Sequence, residues 1–192
     1  MSINTCIEID EIEKRFDKIA ELLFGKFAIR KGNTLYLFKE VEFYFYNRNH
    51  RDIITHPRIS NSLCWYVNNF GGIDLNFGSR IDTISNIGKR GKNTQKYILN
   101  SDACFGGILI RQLMNKENGD VLEGPWACAE LFRCYDATGY DSDQPLIIEH
   151  NNGMVSYIRK PRINLLTAGQ TVGWAVKCQD HQAIKQCAYV SH

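Results

Sequence analysis

Residues 34–46 read Thr34-Leu35-Tyr36-Leu37-Phe38-Lys39-Glu40-Val41-Glu42-Phe43-Tyr44-Phe45-Tyr46. Aromatic and aliphatic residues dominate the stretch and polar positions alternate through it, which predicts one long strand. Strict alternation puts Leu37, Val41, Phe43 and Phe45 on one side, interrupted by Lys39. Tyr36, Phe38, Glu40, Glu42, Tyr44 and Tyr46 then fall on the other. That second face sets two carboxylates in line with flat rings. It reads either as a half-exposed sheet surface or as the wall of a pocket, where a carboxylate stands beside rings able to stack a planar ligand.

On the amino-terminal side, residues 9–24 space Ile12, Phe16, Ile19 and Leu23 as an amphipathic helix, with Gly25 as its stop. Residues 27–30 suit a short strand, and Lys31-Gly32-Asn33 supplies turn chemistry before the long strand. Residues 47–62 are polar and irregular around Pro57 and carry His50, Arg51, Asp52, His56 and Arg58. Further strands are predicted over 63–67, 73–77, 103–113, 146–149, 154–159, 162–165 and 174–178, before a polar tail. Arg111 sits inside the apolar 103–113 strand, where a guanidinium must be paired or serve a site. A second helix starts at Gly124-Pro125-Trp126 and runs to Tyr135, with proline suited to its first turn. Residues 80–101 lack an apolar face and read as a loop insertion; within it Lys89, Arg90, Lys92 and Lys96 occur with no acid among them. Strands flanked by two helices, with no linker or repeat, define a single α+β domain over 1–192.

Composition narrows the function classes. The net charge of +2 permits nucleic-acid binding without arguing for it. Seven cysteines without paired spacing fit reduced thiols and a cytoplasmic setting. No apolar run is long enough to cross a bilayer, and Met1 to Asp10 does not read as a signal peptide. There is no Cys-x-x-Cys pair, phosphate-binding loop or dinucleotide fingerprint. The chemically interesting residues are Glu42, Tyr44, His56, Tyr66, Asn76 and Arg111: one potential base, stacking rings, hydrogen-bonding groups and a cation.

The order of the segments resembles the alkyladenine (3-methyladenine) DNA glycosylases. Ala20-Glu21-Leu22-Leu23-Phe24-Gly25-Lys26, Glu40-Val41-Glu42-Phe43-Tyr44 and Thr55-His56-Pro57-Arg58 are similar to successive motifs of that family. So are Trp65-Tyr66-Val67 with Phe70-Gly71, Leu75-Asn76, Ile108-Leu109-Ile110-Arg111-Gln112-Leu113, Gly124-Pro125, Pro161-Arg162-Ile163-Asn164 and Ala168-Gly169 with Trp174. Together they extend across most of the chain. The departures are Phe70 where the family commonly has a tyrosine wedge, Val67 at a stacking-tyrosine position, and Trp126-Ala127 for glycine-lysine. Only eight residues separate His56 from Trp65, a shortened stretch.

The resemblance implies an antiparallel, partly barrel-like sheet with flanking helices. It implies hydrolysis of the N-glycosidic bond of alkylated or deaminated purines flipped out of double-stranded DNA. Glu42 would be the general base for water and Arg111 would hold that water or a phosphate. Tyr44 and Tyr66 would stack on the base, His56 would contact base or backbone, and Asn76 would discriminate purines. Phe70 would be the wedge in the duplex. Residues 80–101 are an insertion relative to the family, and its basic run with Lys89, Arg90 and Lys92 reads either as a solvated loop or as an arm that contacts phosphates. No cofactor or metal is required, and a monomer is expected. The alternative is a catalytically reduced relative that binds nucleic acid or a purine base without excision. A hydrolase of free nucleosides is a third reading.

Overall fold

The structure is a computed structural model and describes residues 9–52, 55–68, 72–87, 93–133, 143–160 and 188–192. The expected strands at 162–165 and 174–178 lie outside these residues. So do Phe70, Lys89, Arg90 and Lys92.

Helix α1 (Ile9–Lys26) is amphipathic as its spacing requires, with Ile12, Phe16, Ile19, Ala20, Leu23 and Phe24 buried. It runs two residues beyond Phe24, so Gly25 does not stop it; the chain passes directly into β1 (Phe27–Lys31). A tight turn then leads into β2 (Thr34–Tyr46), with Lys31 opposite Thr34. The remaining strands are β3 (Trp65–Val67), β4 (Ile73–Asn76), β5 (Asp82–Ile87), β6 (Asn93–Ile98), β7 (Phe105–Asn115) and β8 (Val121–Glu123). Helix α2 (Pro125–Phe132) precedes β9 (Leu146–Glu149), β10 (Tyr157–Lys160) and β11 (Ala188–Ser191).

Nine strands form one antiparallel sheet that curls into a half-barrel, an α+β domain as the alternation predicts. Its main path is β10-β11-β2-β7-β4-β3; β1 joins β2 to β9, and β8 pairs with β7. The long strand is its spine. β2 pairs with β7 from Tyr36 to Tyr46, and on its other side with β1 and then β11.

Several expectations change. Residues 80–101 are not a loop: β5 and β6 pair residue for residue from Asp82 with Ile98 to Ile87 with Asn93, a separate two-stranded hairpin. The polar tail ends in a strand, since β11 inserts between β2 and β10. α2 stops at Phe132, three residues early.

The largest correction concerns the two faces of β2. The β2–β7 register shifts between Phe38 and Glu40 and again between Glu40 and Val41. Lys39 is extra on β2 and Arg111 is extra on β7, so each strand carries one unpaired residue. Such a bulge reverses the side-chain parity of a strand. Tyr36 and Phe38 therefore share the core face with Val41, Phe43 and Phe45, and all five are buried. Glu40, Glu42 and Tyr44 keep the opposite face.

The core lies between the sheet and the two helices. Phe16 of α1 stacks on Phe43 with ring centroids 4.6 Å apart, and Tyr189 meets Phe43 edge-on. Arg159 pairs with Asp17 and Glu13 of α1, fastening β10 over the helix. Behind β2, Gly106 admits no side chain, because a Cβ there would lie 2.1 Å from the Tyr44 carbonyl oxygen.

Tyr36 carries a testable consequence. Its hydroxyl donates to Glu130 Oε1 at 3.0 Å, and burial together with that carboxylate pushes its pKa from 10.0 up to about 12. The unfolded chain releases this proton first, so stability from Tyr36 is intact below pH 10.0 and is lost as pH rises toward 12. Alkaline titration of the folded fraction should therefore show a fall over that window that is weaker in Tyr36→Phe.

Candidate functional site

The face of the sheet turned away from the helices carries the polar residues, and the register places them in rows. Lys160, Ala188, Glu42, Leu109, Asp74 and Tyr66 occupy one row across β10, β11, β2, β7, β4 and β3. Tyr44, Gly107 and Asn76 form the next. Residues separated by more than 100 positions thus meet because strand alternation gives them one parity.

Glu42 is fully buried, and the Tyr44 hydroxyl donates to its Oε2 at 2.7 Å. Arg111 Nε stands 4.0 Å from Oε1, with about a third of the arginine side chain exposed. Arg111 shares the parity of Leu109, which lies opposite Glu42 in the register, and that sets it on this face. A carboxylate withdrawn from water must be matched by such partners, and here one is an ion at the edge of solvent. Glu40 is also buried rather than exposed, and Lys160 Nζ holds it at 2.8 Å.

The third carboxylate is Asp74, which the sequence reading passed over. Arg58 Nη1 bonds its Oδ2 at 2.9 Å, with both side chains nearly buried. Burial pushes the Asp74 carboxyl above its ordinary value, against the pull of Arg58. The same guanidinium lies over the Tyr66 ring, 4.3 Å from its centroid. Arg58 therefore covers one face of the Tyr66 ring. Asn76 is buried, and its Nδ2 donates to Ser60 Oγ at 2.8 Å. His56 is exposed, and its influence on Asp74 places it at the rim of this cluster.

Glu42, Tyr44 and Arg111 are thus brought together, and Tyr66 of β3, Asn76 of β4 and the loop residue His56 gather around Arg58 and Asp74. Two cues existed for the missed pair. Arg58 stood in the Thr55-His56-Pro57-Arg58 motif, and Asp74 alternates with Ile73 and Leu75 on a strand where Asn76 had already been singled out.

A cavity of about 740 Å³ lies elsewhere, around the β1–β2 turn and the end of α2. Its walls are committed to structure: Lys31 Nζ donates to the Arg133 carbonyl at 2.7 Å, and Tyr36 holds Glu130. The carboxylate cluster is the better candidate, because it combines a buried potential base, a ring and a cation in one place. Among the described residues no group of three or more His, Cys, Asp or Glu side chains could hold a metal ion.

Fold and site define an α+β half-barrel with a carboxylate–arginine cluster on the sheet face opposite its helices. No family model matches the chain, and no solved structure matches it. An uncharacterised protein of Acanthamoeba polyphaga mimivirus, L759, is 27% identical over 133 residues, covering 67% of this chain and 62% of its own length. The chain therefore spans less than two thirds of that relative.

Proposed function

We propose that the protein is a monofunctional DNA glycosylase that hydrolyses the N-glycosidic bond of alkylated or deaminated purines flipped out of duplex DNA. The observation that carries this reading is the meeting of Glu42, Tyr44 and Arg111 on one sheet face, in the order the motif resemblance calls for. Glu42 takes a proton from water and offsets the positive charge that grows on the sugar as the base departs. Tyr44 orients the Glu42 carboxylate through its hydroxyl and offers its ring to the base. Arg111, reaching from the solvent edge, holds the water or an adjacent phosphate. The three carboxylates each have a cation partner, which keeps the face near neutral and open to a polyanion.

Incubation with a duplex bearing one alkylated or deaminated purine, followed by alkaline cleavage, tests the reading. Strand breaks at the lesion support it, and an intact duplex counts against it. The full burial of Glu42 favours the second reading, a protein that binds such DNA or a purine base without cutting. That reading predicts lesion-dependent binding with no strand breaks. Turnover of free nucleosides instead of duplex would point to a nucleoside hydrolase.

Under either DNA-binding reading, Lys89, Arg90 and Lys92, which lie between β5 and β6 in the chain, contact phosphates. Replacing all three with alanine should weaken DNA binding and reduce the slope of log affinity against log salt by about 3, at roughly 0.9 per phosphate contact. Titrations at several salt concentrations measure this, and an unchanged slope would remove the three residues from the interface.

A further inference from the structure

We infer that Arg58 is a specificity-determining residue: with Asn76 it reads the lactam edge of a neutral ring, a carbonyl beside an N–H, and it disfavours rings carrying a formal positive charge. This rests on the base-excision reading above.

Gly107 faces the site between Tyr44 and Asn76. A Cβ built there would lie 2.7 Å from Arg58 Nη2 and 3.3 Å from Asn76 Oδ1. The glycine lets the Arg58 guanidinium and the Asn76 amide oxygen pack side by side against bare backbone, with the Leu75 carbonyl oxygen 2.9 Å from the same point, next to the ring that would stack the base. Arg58 Nε and Asn76 Oδ1 are both buried without a hydrogen-bond partner, although Arg58 Nη1 and Asn76 Nδ2 are engaged. Buried polar atoms left in this state call for a partner, which a water or a ligand can supply. The complementary group has an acceptor for the guanidinium and an adjacent N–H for the amide oxygen. Hypoxanthine, the deaminated form of adenine, presents O6 beside N1–H.

Charge supplies the second half. An alkylated, cationic purine is held best by open aromatic faces. Here the Tyr66 face already carries the Arg58 guanidinium, and Asp74 fixes it there. A cationic ring would find that face occupied by a guanidinium and lose the open aromatic surface it needs. Tyr66 and Asp74 thus act as positioning residues for Arg58.

The test compares two duplexes under single-turnover conditions, one with hypoxanthine and one with 7-methylguanine, which has a lactam edge on a cationic ring. The wild-type protein should favour hypoxanthine. Arg58→Met should lower hypoxanthine excision and relieve 7-methylguanine, shifting the ratio of rates by about ten- to a hundredfold, the scale of one good arginine–base contact. Arg58→Lys keeps the charge beside Asp74 but loses the planar fork, so it should lose hypoxanthine without gaining 7-methylguanine. It also serves if Arg58→Met does not fold, which thermal melts of each variant reveal. Equal ratios in the folded variants and wild type would overturn the assignment while excision itself stands. If the wild type excises neither base, the function proposed above fails. Saturation-transfer NMR with free hypoxanthine and free 7,9-dimethylguaninium then decides. Hypoxanthine binding that weakens in the Arg58 variant supports the reader; binding of neither ring, or of both equally, overturns it.

Discussion

Glu42→Gln is expected to lower base excision by about 10²- to 10⁴-fold while leaving lesion-DNA binding and the melting temperature close to wild type. The magnitude is that of a positioned general base. Glutamine keeps the shape and accepts the Tyr44 hydroxyl bond through its amide oxygen, so the buried site stays filled. It cannot take a proton from water, and it no longer offsets positive charge on the sugar. Arg111 is exposed enough to remain solvated when its partner at 4.0 Å loses charge. Single-turnover rates beside equilibrium binding measure the effect. A rate loss matched by an equal loss of binding would indicate that Glu42 holds the fold or the DNA, not the chemistry.

The second large effect concerns stability. Asp74→Ala should destabilise the fold by about 3–5 kcal/mol, because it strands Arg58 as an unpaired cation beneath Tyr66. For a chain of this size that lowers the melting temperature by roughly 10 °C. The double replacement Arg58→Met with Asp74→Leu should recover most of the loss, since apolar residues of similar volume often replace a buried pair without cost. Chemical denaturation of the single and double variants forms the cycle. A single replacement without penalty would mean that water reaches Arg58 freely.

The fold was legible where periodicity was unbroken. The spacing of Ile12, Phe16, Ile19 and Leu23 marks α1, and Phe43 and Phe45 mark the core face that it covers. What could not be read was the parity of Tyr36 and Phe38. A bulge depends on the partner strand, and nothing near Lys39 announces that Arg111 is its counterpart across the sheet. The same long-range pairing hid β11, whose short run Ala188-Tyr189-Val190-Ser191 is a strand only because β2 and β10 flank it. In the site, Glu42 and Tyr44 were legible as neighbours on one face because two residues separate them on one strand. Asp74 was not, because its importance comes from Arg58, which a loop brings back from 16 positions away.

The bulge also links fold to proposed chemistry. Arg111 follows strict alternation with Leu109 onto the face of Glu42, and because the extra residue interrupts β7 there, Gln112, opposite Glu40, shares that face. As the unpaired residue it can lean toward Glu42 while Gln112 turns to Glu123 at 2.9 Å.

The most direct measurement is release of free purine from a duplex with one hypoxanthine, followed by chromatography under single turnover for wild-type protein and Glu42→Gln side by side. For wild type, free base should accumulate in step with abasic sites, and release should be at least about a hundredfold slower for the variant. Duplex that is bound yet releases no base, or release at the same rate from both proteins, would contradict the proposed chemistry.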